Sequence, residues 1–189
     1  MTRLWMVRHG PTHARAMVGW SDIPADLSDT AALARLRAYL PDAPIVSSDL
    51  SRAISTSDAL APSVRLPHDP ALREINFGAW EMKTFDEAEA DDPATIRAYW
   101  ETPGDIAPPG GESWDAVCRR VSGAIDGYLR EGWPDLIIVA HFGAILTQVQ
   151  RAKKITGYAA FGHRIDNLSV TDLAFDGEGW RVGRINHLP

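Results

Sequence analysis

The sequence predicts an α/β fold: a three-layer sandwich with a mostly parallel central sheet, helices on both faces and antiparallel strands at one edge. Three features of the chain support this. The order strand, tight turn, helix recurs, as it does where a parallel sheet is wound with helices. Leu136-Ile137-Ile138-Val139-Ala140 is continuously apolar between Asp135 and His141, the pattern of a strand covered on both faces. Near the end, Leu168 to Phe175 and Trp180 to Ile185 read as two strands joined by the hairpin turn Asp176-Gly177-Glu178-Gly179, which places them at the sheet's edge.

Taken in order, the first strand is Leu4-Trp5-Met6-Val7, and it ends in Arg8, His9 and the turn Gly10-Pro11, where proline pushes Gly10 out of the helical region. The polar, turn-rich Gly19-Trp20-Ser21-Asp22-Ile23-Pro24 is expected to lie as a loop near that strand end. Ser28 is placed to cap a helix carrying Leu33, Leu36 and Leu40, which Pro41 stops. Ile45-Val46-Ser47 reads as a second strand running into Ser48-Asp49, which can cap a helix through about Ala61 with Arg52 in its first turn.

The stretch 82–112 is acidic and then rich in Pro and Gly, so it is expected to form a lid-like insertion, helical around Ala94 to Trp100, on a single domain spanning 1–189, and to stay outside the core. From Ser113 the helical period returns: Trp114, Val117, Val121, Ala124, Ile125, Tyr128 and Leu129 mark one face of a helix that Gly132 and Pro134 end. After the apolar strand, His141 precedes a helix containing Ile145, Leu146 and Val149.

Composition narrows the function. With 189 residues, 45% hydrophobic and 23% charged, the chain suits one globular domain. A net charge of −6 argues against broad binding to nucleic acid or an anionic membrane, yet leaves room for one small cationic pocket. Cys118, the one cysteine, has no partner for a disulfide and lies inside a helical pattern, so it reads as a small buried residue rather than a reactive thiol. The first apolar run is cut short by Arg8-His9-Gly10-Pro11 and no later run approaches spanning length, which points to a soluble cytoplasmic protein.

If the strands beginning near Leu4, Ile45 and Leu136 are neighbours, then Arg8, His9, Arg52 and His141 converge at one rim, where open α/β sheets bind ligands. Two guanidiniums and two imidazoles make a phosphate pocket, and the helix after His141 adds its free N–H groups. His9 attacking phosphorus would give a phosphohistidine that water can cleave.

These residues resemble the histidine phosphatase superfamily, also called the phosphoglycerate mutase-like family. Arg8-His9-Gly10-Pro11-Thr12 resembles its nucleophile signature and Ser47-Ser48-Asp49-Leu50-Ser51-Arg52-Ala53 its second-arginine motif. Leu72-Arg73-Glu74-Ile75-Asn76-Phe77-Gly78-Ala79-Trp80-Glu81 and Ile138-Val139-Ala140-His141-Phe142-Gly143 complete the set in the family order. The resemblance implies an α/β sandwich and a catalytic set of His9, Glu74 and His141. His9 is then the nucleophile and Glu74 the proton donor to the leaving oxygen. Arg8, Arg52 and His141 bind the phosphoryl group, with Thr12 and Phe142 as further phosphate-side positions. Glu81 is the rival acid. The chain departs from the pattern at Pro11, where many members have Glu or Gln, at Arg15, where many have Asn, and at Phe142, where Gly is common. Arg15 thereby becomes a candidate third arginine of the pocket.

The expected activity is metal-independent hydrolysis of a small phosphate monoester without a cofactor, in the branch of small broad-specificity and α-ribazole-phosphatase-like enzymes. A mutase would use the same site but is usually longer, with additional closing segments. A non-catalytic phosphoryl-binding module would have no need of His9 and Glu74. A metallohydrolase is disfavoured by spacing. Among the six histidines, His9 and His13 are four apart but separated by Gly10-Pro11, so no helical ligand pair is assured, and His68, His163 and His187 read as surface residues.

Overall fold

Alternation along the strands divides the interior into two unequal cores. In the computed structural model, which describes residues 1–189, five strands and seven helices are arranged around one sheet. In chain order they are β1 (Thr2–Arg8), α1 (Thr30–Tyr39), β2 (Ile45–Ser47), α2 (Ser51–Ala59), α3 (Phe85–Asp91), α4 (Pro93–Glu101), α5 (Trp114–Glu131), β3 (Asp135–Ala140), α6 (Phe142–Lys153), α7 (Gly157–Phe161), β4 (Val170–Phe175) and β5 (Trp180–Val182). Short 3₁₀ turns occupy Pro70–Leu72 and Gly78–Trp80.

The strand order is β2-β3-β1-β4-β5. β3 lies parallel between β2 and β1, with Ile138 opposite both Val46 and Met6. β4 runs antiparallel to β1 and β5 antiparallel to β4, so the predicted hairpin does form the edge. The three strands expected to be neighbours are neighbours, with β1 in the middle of the sheet.

Leu4, Met6, Val46, Leu136, Ile138, Ala140 and Leu173 point to one face, into a core cluster of 23 buried residues that also takes in α3 to α6. Val7, Ile45, Ile137, Val139 and Val170 point to the other, into a cluster of 11 shared with α1 and α2. Burying each such side chain stabilises the fold by about 1.5–3 kcal/mol. The predicted long helix is α5: Ser113 caps it by accepting from Ala116 N–H, and Gly132 ends it at φ 76°. Cys118 is half-buried and its thiol is pushed up to about 12 by burial, so it stays a thiol.

Three expectations need correction. α1 is capped by Asp29, which accepts from Ala32 N–H at 2.9 Å, while Ser28 is held in the preceding turn by Asp26. Neither Ser48 nor Asp49 caps α2. Ser48 accepts from Leu50 N–H, and Asp49 is drawn away into a bidentate pair with Arg73 at 2.7 and 2.6 Å. That helix stops at Ala59, and Ala61 turns left-handed at φ 47°. The stretch 82–112 is more helical and more buried than its composition suggested. Thr84 and Glu87 form a capping box on α3, Asp92 caps α4, and Ala88, Ile96 and Tyr99 join the larger core. Its acidic residues lie mostly on the outer faces of those helices. No helix is long and apolar enough to cross a membrane.

Candidate active site

Because β1, β2 and β3 are parallel, their C-terminal ends open on one rim. His9 sits just past β1, pinned by its N–H to Ala140 O at 3.1 Å and by Asn167 Nδ2 donating to its carbonyl at 2.9 Å. Its Nδ1 lies 2.7 Å from Gly10 O and its Nε2 lies 3.3 Å from Arg52 Nε. A carbonyl only accepts and a guanidinium only donates, so the proton is on Nδ1 and the lone pair on Nε2. Burial, and after it the charges of Arg52 and Arg8, hold the imidazole pKa down to about 3. His9 is therefore neutral at ordinary pH.

His141, at the end of β3, is the residue before α6. Its ring is fully buried, its centroid 5.0 Å from that of His9, and neither ring nitrogen has a partner in the protein. Burial, then His9 and the arginines, push its pKa well below the usual range.

The two arginines differ in how far they are committed. Arg52, buried in the first turn of α2, donates to Ser21 O at 2.8 Å and Gly19 O at 2.6 Å besides His9. Arg8 donates through one terminal nitrogen to Ile165 O at 2.6 Å, but its buried Nε has no partner. The guanidinium carbon of Arg8 lies 5.7 Å from the ring centroid of Phe142, the first residue of α6.

Glu74 completes the cluster. Its buried carboxyl accepts from Ile75 N–H at 3.0 Å and, through both oxygens, from Gly143 N–H at 2.9 and 3.1 Å. It thus occupies the positive end of α6. A Cβ on residue 143 would collide with that carboxyl, so only glycine allows the approach. Burial raises the Glu74 pKa against the opposing pull of those backbone bonds, Arg52 and Arg8. A carboxyl whose pKa is raised, beside a neutral imidazole, suits the division of roles that acid-assisted displacement needs.

Sequence reasoning missed what holds Glu74 in place. Arg120, on α5, donates to the carbonyls of Ala71, Arg73 and Glu74 at 2.9, 3.0 and 3.1 Å and pairs with Glu112 at 2.7 Å. The one local signal was a cation at the polar margin of the α5 stripe, next to Val121. Asn167, on the His9 carbonyl, was missed as well.

Of the other candidates, Thr12 accepts from Ala14 N–H at 3.4 Å and makes no hydrogen bond to the cluster. Arg15 is exposed and makes no hydrogen bond or ion pair. His13 pairs with Asp26, His68 meets Ser47 and Arg65, His163 meets Lys153, and His187 packs on Tyr39. Glu81 is fully engaged: its two oxygens accept from the N–H groups of Gly19, Trp20, Ser21 and Phe77 and from the Ser21 hydroxyl.

Comparison with known proteins adds to this geometry. Residues 4–188 match the model described as histidine phosphatase superfamily (branch 1). The chain is 36% identical over 169 residues to a bifunctional protein of Mycobacterium tuberculosis, covering 82% of this chain but 42% of that protein. It is 26% identical over 175 residues to the adenosylcobalamin/alpha-ribazole phosphatase of Salmonella typhimurium, covering 87% and 86% of the two chains. The solved structure of Bacillus stearothermophilus YhfR superposes with a TM-score of 0.87 at 28% identity, over 96% of this chain and 95% of that one.

Proposed function

The chain belongs to the histidine phosphatase superfamily, and we propose that it hydrolyses a small-molecule phosphate monoester, without a metal ion, through a phosphohistidine on His9. The observation that carries this reading is the His9 tautomer, with its lone pair on Nε2 inside a ring formed by Arg52, Arg8 and His141. A name that includes a phosphatase activity on a relative matching most of both chains supports hydrolysis.

In the first step the Arg52 Nε–H passes from Nε2 to a phosphoryl oxygen, Nε2 forms a bond to phosphorus as the bond to the leaving oxygen breaks, and that oxygen takes the Glu74 proton. Gly10 O, already accepting from Nδ1–H, stabilises the positive charge that develops on the ring. The arginines and His141 hold the equatorial oxygens, the positive end of α6 being taken by Glu74. In the second step the Glu74 carboxylate takes a proton from water, whose oxygen bonds to phosphorus as the Nε2–phosphorus bond breaks. Inorganic phosphate leaves and His9 and Glu74 return to their starting states. We assign recognition of the leaving group to the 82–112 segment, whose Trp100 packs on Phe77 beside the Glu74 loop at 6.2 Å between ring centroids.

The test is phosphate release from an aryl phosphate by wild type and His9→Ala, with excess chelator, from mildly acidic to neutral pH. The expected result is turnover that survives chelator and falls at least about 10⁴-fold in His9→Ala. Residual turnover within about tenfold of wild type in His9→Ala would end the phosphohistidine reading.

A further inference from the structure

Glu81 stands seven residues from Glu74, yet both its oxygens are already engaged by groups of the protein. Its carboxylate gathers one loop. It accepts from Gly19 N–H at 3.1 Å, Trp20 N–H at 2.7 Å, Ser21 N–H at 3.4 Å, the Ser21 hydroxyl at 2.7 Å and Phe77 N–H at 3.2 Å. Gly19 is packed so closely against Glu81 and the Ile75 carbonyl that a Cβ there has no room. The same loop turns its carbonyls the other way. Gly19 O and Ser21 O accept from the two terminal nitrogens of Arg52, and the next residue, Asp22, accepts from Ser51 N–H at 2.7 Å, serving the start of a helix whose own N-cap, Leu50, cannot.

We propose that Glu81 is a positioning residue for Arg52: by organising the Gly19–Ser21 loop it presents the two carbonyls that set the guanidinium plane against His9 Nε2. A guanidinium has five N–H groups. Two are committed to Ser21 O and Gly19 O, which leaves the Nε–H that rests on His9 and two terminal N–H groups for phosphoryl oxygens, in an orientation that the carbonyls dictate. Bidentate recognition of a tetrahedral oxyanion depends on that plane, so a slack loop degrades catalysis while every phosphate-binding side chain is still present. This inference rests on the phosphoryl-site reading and deepens it.

The experiment is a double-mutant cycle of Glu81→Gln with Arg52→Lys, read two ways: orthovanadate affinity by calorimetry, and kcat, KM and pH profile on an aryl phosphate. Glu81→Gln is expected to weaken vanadate and lower kcat by about tenfold each, with KM within about twofold and the shape of the pH profile unchanged. In the Arg52→Lys background it should have little further effect. Ser21→Ala, which removes one of the five contacts, gives a milder probe with the same expected dependence on Arg52. Effects of Glu81→Gln and Ser21→Ala that multiply with Arg52→Lys, or a Glu81→Gln enzyme that loses one limb of its pH profile, would overturn the proposal; the latter would make Glu81 an acid. The vanadate cycle needs no turnover, so a wild type that binds vanadate without hydrolysing ester would sink the phosphohistidine mechanism while the coupling between Glu81 and Arg52 is still read. A wild type that does not bind vanadate would overturn both.

Discussion

The two flanks of the pocket handle their polar groups in opposite ways. On the α2 flank Arg52 is bonded to His9 and to two loop carbonyls, and those carbonyls are in turn fixed by Glu81. On the α6 flank both nitrogens of His141 and the Nε of Arg8 are buried with no partner in the protein. A hydrogen bond to a charged group contributes about 1.5–3 kcal/mol, so the α2 flank adds to stability through bonds that the α6 groups do not make within the protein. The contrast separates scaffold from the groups proposed to face the ligand: the committed donors build the site, and the proposed anion contacts fall to groups with no bond inside the protein.

Arg52→Met breaks the contrast most severely, because it removes a proposed phosphoryl ligand and leaves Gly19 O and Ser21 O without their donor. Activity on an aryl phosphate is expected to fall by about 10³-fold or more, and chemical denaturation should show a loss of about 2–4 kcal/mol. His141→Leu should cut activity by about 10²–10³-fold yet leave stability unchanged or about 1 kcal/mol higher, since the neutral ring's one donor and one acceptor make no hydrogen bond within the protein. Equal destabilisation by the two substitutions would erase the distinction between the flanks.

Acid sharpens the same point. Folded His9 has its pKa lowered to about 3 and His141 is lowered too, so on acidification the unfolded chain takes up protons that the folded chain refuses. The stability that the neutral imidazoles contribute is complete above the ordinary histidine range, about 6.5, and is lost as pH falls toward 3. Glu74, raised, works in the other direction: its contribution is present below the ordinary carboxyl range and is lost as pH rises through its folded value. Denaturation midpoints at pH 7 and pH 5 should therefore drop in wild type and drop less in His141→Leu. The smallest effect is expected at Arg15, which belongs to neither flank: Arg15→Ala should leave kcat and KM within about twofold, and a larger rise in KM would restore it to the pocket.

What was legible in the sequence follows the same division between local and distant causes. Arg8, His9, Arg52 and His141 follow from strand ends, because a short apolar run stopped by a turn fixes both where a strand finishes and which residues lie on the rim. The helix caps failed by a residue or two where a competing partner intervened: Asp26 took the Ser28 N–H, and Arg73 took Asp49. The burial of α3 and α4 was hidden because Ile96 and Tyr99 sit among acidic and small residues whose average is polar. Glu81 and Arg120 were beyond reach for a different reason. Their partners lie 30 or more positions away in Gly19–Ser21 and Ala71–Glu74, and no local period encodes that proximity.

The unequal division of the interior has a kinetic corollary. The layer of α1 and α2 is held by 11 buried residues where the opposite layer has 23. Sub-global opening follows the weaker packing, so amide protons of α1 and α2 are expected to exchange with solvent ahead of those in α5 and α6. Arg52 rides on the layer that opens first. Near the upper end of its temperature range the protein would thus lose the proposed phosphoryl clamp while most of the sheet is still protected, and inactivation would precede the calorimetric transition.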